Sequence, residues 1–259
     1  MASIVVRGYD PGMLVAERRE AIHRTVRSGV TAISELATRF DVSEMTVRRD
    51  LDALESEGLI ERVRGGALAA EPERTFTQTA IERLPVKSRI GSAAAALVSD
   101  QQTLMIDVGT TTLQLAHHLR DREVTVVTTN LAVYEELMQS PRITVVLPGG
   151  EVRRHYRSLV GLLAEEAIRK MSADIVFLGA SGLDRDLHLR DSTLVEVPIK
   201  RAMLGAANRK VLLIDGAKFG AGGFEVCDAR HLDVVVTDAT APDETLAQLR
   251  AAGVEVIIA

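Results

Sequence analysis

The sequence predicts an α/β protein of two domains: a small N-terminal domain made mainly of helices, and a larger domain built on a mainly parallel, doubly wound sheet. Three observations predict this organisation. The chain has 259 residues, more than one small domain usually holds. Residues 16–56 repeat apolar side chains at helical spacing. Beyond residue 100, short Val, Ile and Leu runs alternate with helical segments, as buried parallel strands do.

Composition narrows the possible functions. With 31 Lys and Arg against 36 Asp and Glu, the formal net charge is −5, so any contact with nucleic acid must come from a local basic patch. The single Cys227 cannot form an internal disulfide, and the six histidines lack metal-site spacing, so we expect no metal and no cofactor. No signal-peptide pattern or membrane-length apolar run is present, which predicts a cytoplasmic protein with no membrane partner.

Three helices and a hairpin are predicted in the N-terminal domain. Ile22 and Val26 lie four residues apart in a first helix that ends near Ser28. The segment "TAISELATRF", residues 31–40, repeats apolar residues as a second helix does. After a two-residue turn, Ser43 has the position of an N-cap for a third helix.

The third helix presents arginines on its free face. Val47, Leu51 and Leu54 define the buried stripe, so Met45 and Arg49 point away from it and are flanked by Arg48 and Thr46. A basic hairpin with a Gly-Gly turn follows. The residues predicted to contact DNA are Ser43, Met45, Thr46, Arg48 and Arg49 on the helix, and Arg62 and Arg64 on the hairpin.

A helix with Arg and Thr on its free face can lie in the major groove of DNA while a basic hairpin contacts neighbouring phosphates. The alternative is a solvated helix with ion pairs such as Arg48 with Asp52, which is the commoner explanation of an isolated Arg-Arg-Asp. The surrounding helix–turn–helix–hairpin pattern favours DNA binding.

The segment "VSEMTVRRDLDALESEGLIERVRGGA", residues 42–67, carries a family motif almost without gaps. Through it, residues 17–70 resemble the N-terminal winged helix of the DeoR family of bacterial transcriptional regulators. We therefore expect a winged helix-turn-helix DNA-binding domain over residues 13–70, a linker over 71–86 and an effector-sensing α/β domain over 87–259.

Ligands of open parallel sheets bind outside the carboxyl ends of the strands, which makes the residues after each apolar run informative. The stretch "IDVGTTT" ends a strand at Asp107 and enters a helix through Gly109. Helix-start amides with the hydroxyls of Thr110, Thr111 and Thr112 form an anion cradle suited to phosphate. A plain N-capped turn is the alternative for this stretch.

Four further strand ends carry candidate polar or glycine residues. Lys218 could reach an anion at the first loop, and Asp184 could accept hydrogen bonds from sugar hydroxyls. Taken singly, the ends at Asn130 and at Gly149 are better explained as a cap and as a turn followed by solvated arginines, and Asp184 and Lys218 are equally well explained as surface ions. Their convergence on one crevice favours a small phosphorylated polyol. The additional candidates are Thr129, Asn130, Gly149, Gly150, Arg153, Gly182, Asp184 and Lys218.

The resemblance extends through the second domain, where "IDVGTTT", "VVTTN", "PGGEVRR", "FLGASGLD", "EVPIKRAM" and "LLIDGAKFG" occur in the order of the DeoR-type sensor domain. That domain is related to the ribose-phosphate isomerase and sugar-phosphate deaminase folds, so the resemblance implies a sugar-phosphate effector.

The leading hypothesis is a sequence-specific transcriptional regulator whose C-terminal domain binds a phosphorylated sugar or related metabolite that alters operator affinity. The resemblance implies repression, and activation remains open. The alternative is a sugar-phosphate isomerase or deaminase with an appended DNA-binding domain, with Asp184 or Glu165 as candidate base. A two-fold operator requires a homo-oligomer, either a dimer or a tetramer.

Overall fold

The structure is a computed structural model that describes residues 14–26, 31–56, 60–63, 66–69 and 75–259, without the side chains of 56, 61–63 and 67–69. It divides the chain into two compact units, Met1–Glu73 and Arg74–Ala259. Within the described residues, no helix combines the length and the apolar character needed to cross a bilayer.

The first unit contains the three helices and the hairpin that the sequence predicts. A two-residue strand that the sequence analysis does not predict pairs antiparallel with the second hairpin strand, and the sheet order is β1-β3-β2. The elements are α1 (Val15–Val26), β1 (Thr31–Ala32), α2 (Ile33–Phe40), α3 (Glu44–Ser56), β2 (Ile60–Val63) and β3 (Gly66–Ala69).

Helix α3 begins and packs as its sequence predicts. Ser43 caps it, because its Oγ accepts a hydrogen bond from the backbone N–H of Thr46 at 3.1 Å. Val47, Leu51 and Leu54 are buried and join one core with residues of α1 and α2. Since this stripe lies at i, i+4 and i+7, the opposite side of α3 is left exposed.

Asp50 holds α3 against α1. It directly follows the two exposed arginines, yet it is only 2% exposed. Its carboxylate accepts hydrogen bonds from Nε of Arg18 at 2.7 Å and from Nε of Arg19 at 3.1 Å. These charged hydrogen bonds set the orientation of the helix that carries the predicted DNA contacts.

The second unit is built from helices and short strands. Its helices are α4 (Phe76–Ile81), α5 (Leu84–Ala95), α6 (Thr110–His117), α7 (Leu131–Leu137), α8 (Leu162–Arg169), α9 (Val197–Ala206) and α10 (Asp243–Ala251). Its strands are β4 (Thr103–Ile106), β5 (Thr125–Thr128), β6 (Thr144–Val146), β7 (Glu151–Arg153), β8 (Ser158–Val160), β9 (Ala173–Gly179), β10 (Gly182–Leu183), β11 (His188–Asp191), β12 (Ala207–Leu213), β13 (Phe224–Asp228), β14 (Val234–Thr237) and β15 (Glu255–Ile258).

The central sheet confirms the predicted parallel, doubly wound architecture. Its order is β15-β14-β12-β9-β4-β5-β6, and each neighbouring pair is parallel. Leu104 and Ile106 of β4 pack with residues of α5, α6 and α7, whereas Met105 packs with residues of α8, α9 and α10. Both faces of the sheet are therefore covered, which explains the continuous apolar runs of its strands.

Two antiparallel additions lie outside the predicted pattern. Strands β7 and β8 form a hairpin, and β10, β11 and β13 form a small sheet. Both are built from strands of two to five residues that mix polar and apolar side chains. Segments this short carry too little periodicity to be recognised from sequence.

Part of the predicted linker is helical and belongs to the second unit. α4 and the first turn of α5 fall within residues 71–86. Thr75 and Gln78 form a capping box at the start of α4. The Phe76 side chain is 3% exposed, and its backbone N–H donates to the carbonyl of His155 at 3.0 Å. This burial holds the segment as a helix where its polar, Pro-flanked sequence predicts a linker.

We expect Asp50→Ala to lower the unfolding free energy of the first unit by about 3 kcal/mol, because Arg18 and Arg19 lose the carboxylate that compensates for their partial burial. Hydrogen exchange at the α3 amides in the full chain measures this. Glu20→Ala, an exposed change on α1, is the control and should cost under about 0.5 kcal/mol. Equal protection in the two variants would contradict the role given to Asp50.

Candidate functional site

The exposed face of α3 carries the predicted DNA contacts. Arg49 is exposed and forms no hydrogen bond or ion pair with any residue that the structure describes, and Met45 is 56% exposed. Arg48 Nη2 lies 2.9 Å from Oε2 of Glu44, one turn earlier, in an exposed pair. Such an exposed pair contributes little stability.

The predicted hairpin is present, but Gly66 of the predicted Gly-Gly turn lies in β3, opposite Val63. Arg62 lies in β2, but its side chain is outside the described part of the chain. Arg64 also falls outside the described residues. The DNA contacts of these two arginines therefore stay predictions from the sequence.

In the second unit, the carboxyl ends of the central strands bring most of the predicted effector residues to one edge of the sheet. β5, β4, β9 and β12 are consecutive neighbours in the sheet order. The loops that follow them begin at Thr129, Asp107, Ala180 and Ile214, so these four loops lie side by side. We call this edge the crevice.

A buried lysine organises the crevice. Lys200 of α9 is 1% exposed, and its Nζ forms an ion pair with Oδ2 of Asp107 and lies 3.3 Å from Oδ2 of Asp191. It also donates to the carbonyl of Gly179 at 3.1 Å, and the Gly179 N–H donates to Asp107 Oδ2 at 2.9 Å. Burial acts to lower the pKa of Lys200, but the carboxylates of Asp107 and Asp191 outweigh it and raise this pKa.

Glu196 is a third buried carboxylate in the crevice, after Asp107 and Asp191, and is 1% exposed. Its Oε1 accepts a hydrogen bond from Ser158 Oγ at 2.6 Å and forms an ion pair with Arg153. Burial raises the pKa of Glu196, while Ser158 and Arg153 act in the opposite direction. Arg153, a predicted effector residue, is thus paired with Glu196, and its guanidinium also lies 5.8 Å from the ring centroid of Tyr156.

The loop from β4 to α6 is the predicted anion cradle, and its three threonines differ in their hydrogen bonding. Gly109 precedes α6 with a φ of +157°, a conformation that favours glycine. The Thr112 hydroxyl donates to the carbonyls of Asp107 and Gly109 and so serves the turn itself. Thr110 and Thr111 are each 3% exposed, and Thr111 Oγ1 has no hydrogen-bond partner among the described residues.

The loop after β5 also contains one polar side chain that is used by the fold and one that has no partner among the described residues. Asn130 caps α7, accepting from the N–H groups of Ala132 and Val133, and its amide donates to the carbonyl of Gly109 at 3.2 Å. Thr129 is fully buried, and its Oγ1 has no partner among the described residues. Asn130 therefore holds two loops of the crevice together, while Thr129 keeps an unused hydroxyl.

The three predicted glycines outside the first loop have different surroundings. A Cβ on Gly150 would lie 2.7 Å from the carbonyl oxygen of Val160, and one on Gly182 would lie 2.4 Å from that of Ala221. Close backbone approach explains glycine at both positions. A Cβ on Gly149 would meet no atom within 4 Å among the described residues, so this position is open.

Asp184 is engaged within its own turn between β10 and β11. Its carboxylate accepts from the N–H groups of Asp186 at 3.0 Å and His188 at 2.9 Å, and from Nε of Arg190 at 2.7 Å. Ligating atoms of Asp184, Asp186 and His188 lie within 4.8 Å of one another. Since Arg190 already neutralises Asp184, these contacts account for the carboxylate without a ligand.

A group of cations lies at the ends of β9, β12 and β14. Lys218 is partly buried and donates to the carbonyl of Ala180 at 2.6 Å. Lys87 of α5 is 2% exposed and donates to the carbonyl of Thr79 of α4 at 2.5 Å. Burial and the positive charge of Lys218 lower the pKa of Lys87 to about 8. Two cations that repel each other in a partly buried place are suited to binding an anion.

Arg83 joins the corner between α4 and α5 to the same edge. Its Nε lies 3.4 Å from Oδ1 of Asp215, and its Nη2 lies 3.2 Å from Oδ2 of Asp238. Both carboxylates are 2% exposed. The segment predicted to be a linker is thereby attached to the carboxyl ends of two strands.

Sequence reasoning assigned no role to Glu196, Lys200, Lys87 or Arg83. A usable signal existed for two of them. Lys200 lies three residues after Val197 and three before Met203, and Lys87 lies three before Ile90, so each lysine falls on an apolar helical stripe. A charge on such a stripe predicts a buried ion that needs a partner.

Comparisons with known proteins give consistent results over most of the chain. A family model of the DeoR C terminal sensor domain matches residues 82–239, and one of the DeoR-like helix-turn-helix domain matches residues 18–73. The HTH-type transcriptional regulator GolR of Listeria innocua is 33% identical over 226 residues, covering 85% of this chain and 89% of that protein. The glycerol-3-phosphate regulon repressor of Escherichia coli K12 is 32% identical over 240 residues, covering 89% and 93%.

Among solved structures, ribose 5-phosphate isomerase A from Methanocaldococcus jannaschii is similar with a TM-score of 0.40 and 18% identity, covering 53% of this chain and 55% of that one.

The lowered pKa of Lys87 predicts a pH-dependent stability. In the unfolded chain a lysine has a pKa near 10.4, so between about pH 8 and pH 10 the unfolded state binds more protons at this residue than the folded state. The unfolding free energy of the wild type should therefore rise with pH over this range relative to Lys87→Met. Urea titrations at several pH values measure the difference. Lys170→Met, an exposed control, should keep the wild-type slope.

Proposed function

Since this chain belongs to the DeoR family of DNA-binding transcriptional regulators, we propose that it is a repressor whose crevice binds a phosphorylated sugar or related metabolite that alters operator affinity. The family assignment favours regulation over the alternative, a sugar-phosphate isomerase or deaminase. The name of one relative, the glycerol-3-phosphate regulon repressor, couples a phosphorylated polyol to repression in that protein.

The exposed face of α3 supports the DNA-binding half of this proposal. Arg49 and Met45 project from the side opposite the buried stripe, and Asp50 anchors the helix from behind. An arginine held in this way can contact a guanine with two hydrogen bonds in the major groove. Contacts of Arg62 and Arg64 with phosphates would add affinity without sequence preference.

One observation carries the effector half: the cations Lys218 and Lys87 lie near one another at the edge of the sheet where α6 begins with an unpartnered Thr111 hydroxyl. A phosphate there would accept hydrogen bonds from the first amides of α6 and would relieve the repulsion between the two lysines. We place the phosphate of the effector at Thr110, Thr111 and Lys218.

We further propose that the protein acts in the cytoplasm as a homo-oligomer, a dimer or a tetramer. A single winged helix reads one half-site, and a two-fold operator needs two of them in a fixed spacing. A double-stranded operator, an effector and a second copy of the chain are therefore the proposed partners.

Arg49→Ala should reduce the preference for operator over non-specific DNA by about 1–3 kcal/mol, because it removes the contact to a base edge. Fluorescence anisotropy on operator and scrambled duplexes measures both affinities. Arg24→Ala, an exposed arginine on α1, should leave the preference unchanged. An equal loss on both duplexes for Arg49→Ala would assign this residue to the phosphate backbone.

Lys218→Ala should retain operator binding but lose the response to sugar phosphates, because the substitution lies outside the winged helix and removes a charge that holds the phosphate. Operator anisotropy titrated with phosphorylated and free sugars tests this. The wild type should respond only to phosphorylated compounds, and Lys170→Ala should behave as the wild type. A response retained in Lys218→Ala, or equal potency of the free sugar, would refute this placement of the phosphate.

A further inference from the structure

The crevice contains buried carboxylate oxygens that nothing in the described chain satisfies. Asp107 uses only Oδ2 for Gly179 and Lys200, and Oδ1 has no hydrogen-bond partner among the described residues. Glu196 uses only Oε1 for Ser158 and Arg153, and Oε2 has no partner there either. Both residues are at least 99% buried. Each carboxylate is thus held rigidly through one oxygen and leaves the other unused.

The unsatisfied atoms are concentrated at one edge of the sheet. Thr111 Oγ1 and Thr129 Oγ1, which follow β4 and β5, are also buried without a partner among the described residues. A buried acceptor left unpaired costs about 1–3 kcal/mol, and more when it is charged, so native structures rarely retain several together without a reason. A ligand that supplies the missing donors is such a reason.

The charges decide which part of a ligand can bind at these carboxylates. Asp107, Asp191 and Glu196 contact two cations, Lys200 and Arg153. In these contacts three carboxylates face two cations, so this part of the crevice suits hydroxyl donors better than it suits a phosphate. An ionised carboxylate only accepts hydrogen bonds, so the ligand must offer donors, as sugar hydroxyls do. A phosphate belongs instead beside Lys218 and Lys87.

Chain geometry limits the size of the ligand. Asp107 is three residues before Thr110, and three residues span at most about 10 Å. A phosphate at the start of α6 and a hydroxyl at Asp107 therefore fit one monosaccharide phosphate or a smaller polyol phosphate, and not an oligosaccharide.

We propose that Asp107 Oδ1 and Glu196 Oε2 form a hydroxyl-recognition subsite, and that they select an effector with at least two free hydroxyls at the end remote from its phosphate. This inference rests on the proposed function and adds the determinant of specificity. The ligand is then oriented by charge: its phosphate faces the lysines and its hydroxyls face the carboxylates.

The test compares polyol phosphates with alkyl phosphates of equal chain length. The probes are glycerol 3-phosphate, ribose 5-phosphate and glucose 6-phosphate, paired with propyl, pentyl and hexyl phosphate. Binding to the full-length protein is measured by calorimetry at pH 7, where Lys87 keeps its charge. The wild type should bind its best polyol phosphate about 100-fold or more tightly than the matched alkyl phosphate, since two hydrogen bonds to charged acceptors are lost in the latter.

Glu196→Gln replaces the carboxylate by an amide of the same shape. The preference for the polyol phosphate should fall below about 10-fold, while the affinity for the alkyl phosphate stays within about two-fold. Glu166→Gln, an exposed glutamate on α8, is the matched control and should retain the full preference. If Glu196 had only a structural role, Glu196→Gln would lower the affinity for the polyol phosphate and for the alkyl phosphate equally. That result would overturn the inference.

The wild-type measurement keeps the inference testable if Glu196→Gln fails to fold. Equal affinity of the wild type for the polyol and alkyl phosphates overturns the hydroxyl-recognition subsite but leaves phosphate sensing intact. No binding of any phosphorylated probe overturns the proposed effector function, and this inference with it. The two failures are therefore distinguishable.

Discussion

The geometry of the crevice depends on the burial of one ammonium group among carboxylates. Lys200 draws together Asp107 at the end of β4, Gly179 at the end of β9 and Asp191 at the end of β11. Removing Lys200 would leave the buried carboxylates of Asp107 and Asp191 without their cation, a change that typically costs several kcal/mol. The ion network therefore fixes the relative positions of α9, β4, β9 and β11. The loops that follow these strands are positioned by it as well.

The same ion network divides the crevice into two chemically different ends. Asp107 and Glu196, each with one unused oxygen, lie on the side of Lys200. Lys87 and Lys218 interact electrostatically and donate to the carbonyls of Thr79 and Ala180. Neither end is neutral by itself, and a ligand with a phosphate at one end and hydroxyl donors at the other complements both. Arg153 extends the network, because it pairs with Glu196 and lies by Tyr156, whose ring meets Phe76 of α4 edge-on at 5.8 Å.

The first unit shows how far sequence alone reaches. The spacing of Val47, Leu51 and Leu54 predicts which face of α3 is buried, and the structure confirms it. Ser43 predicts the start of the helix, because an N-cap is a contact between residues three apart. What the pattern does not predict is the buried role of Asp50, whose partners Arg18 and Arg19 lie more than 30 residues away.

By itself, the sequence determined the features that depend on neighbours in the chain: the helices and hairpin of the first unit, the alternating strands of the parallel sheet, and the glycine and hydroxyl loop before α6. Only the tertiary structure decided which polar groups are already used. The side chains of Thr112 and Asn130 form hydrogen bonds with backbone groups of their own loops. Glu196 and Lys200 lie in the crevice, where they form buried ion pairs. The physical reason is that burial and hydrogen-bond partners arise from strands and helices far apart in sequence, and only their packing determines whether a polar atom is satisfied or left for a ligand.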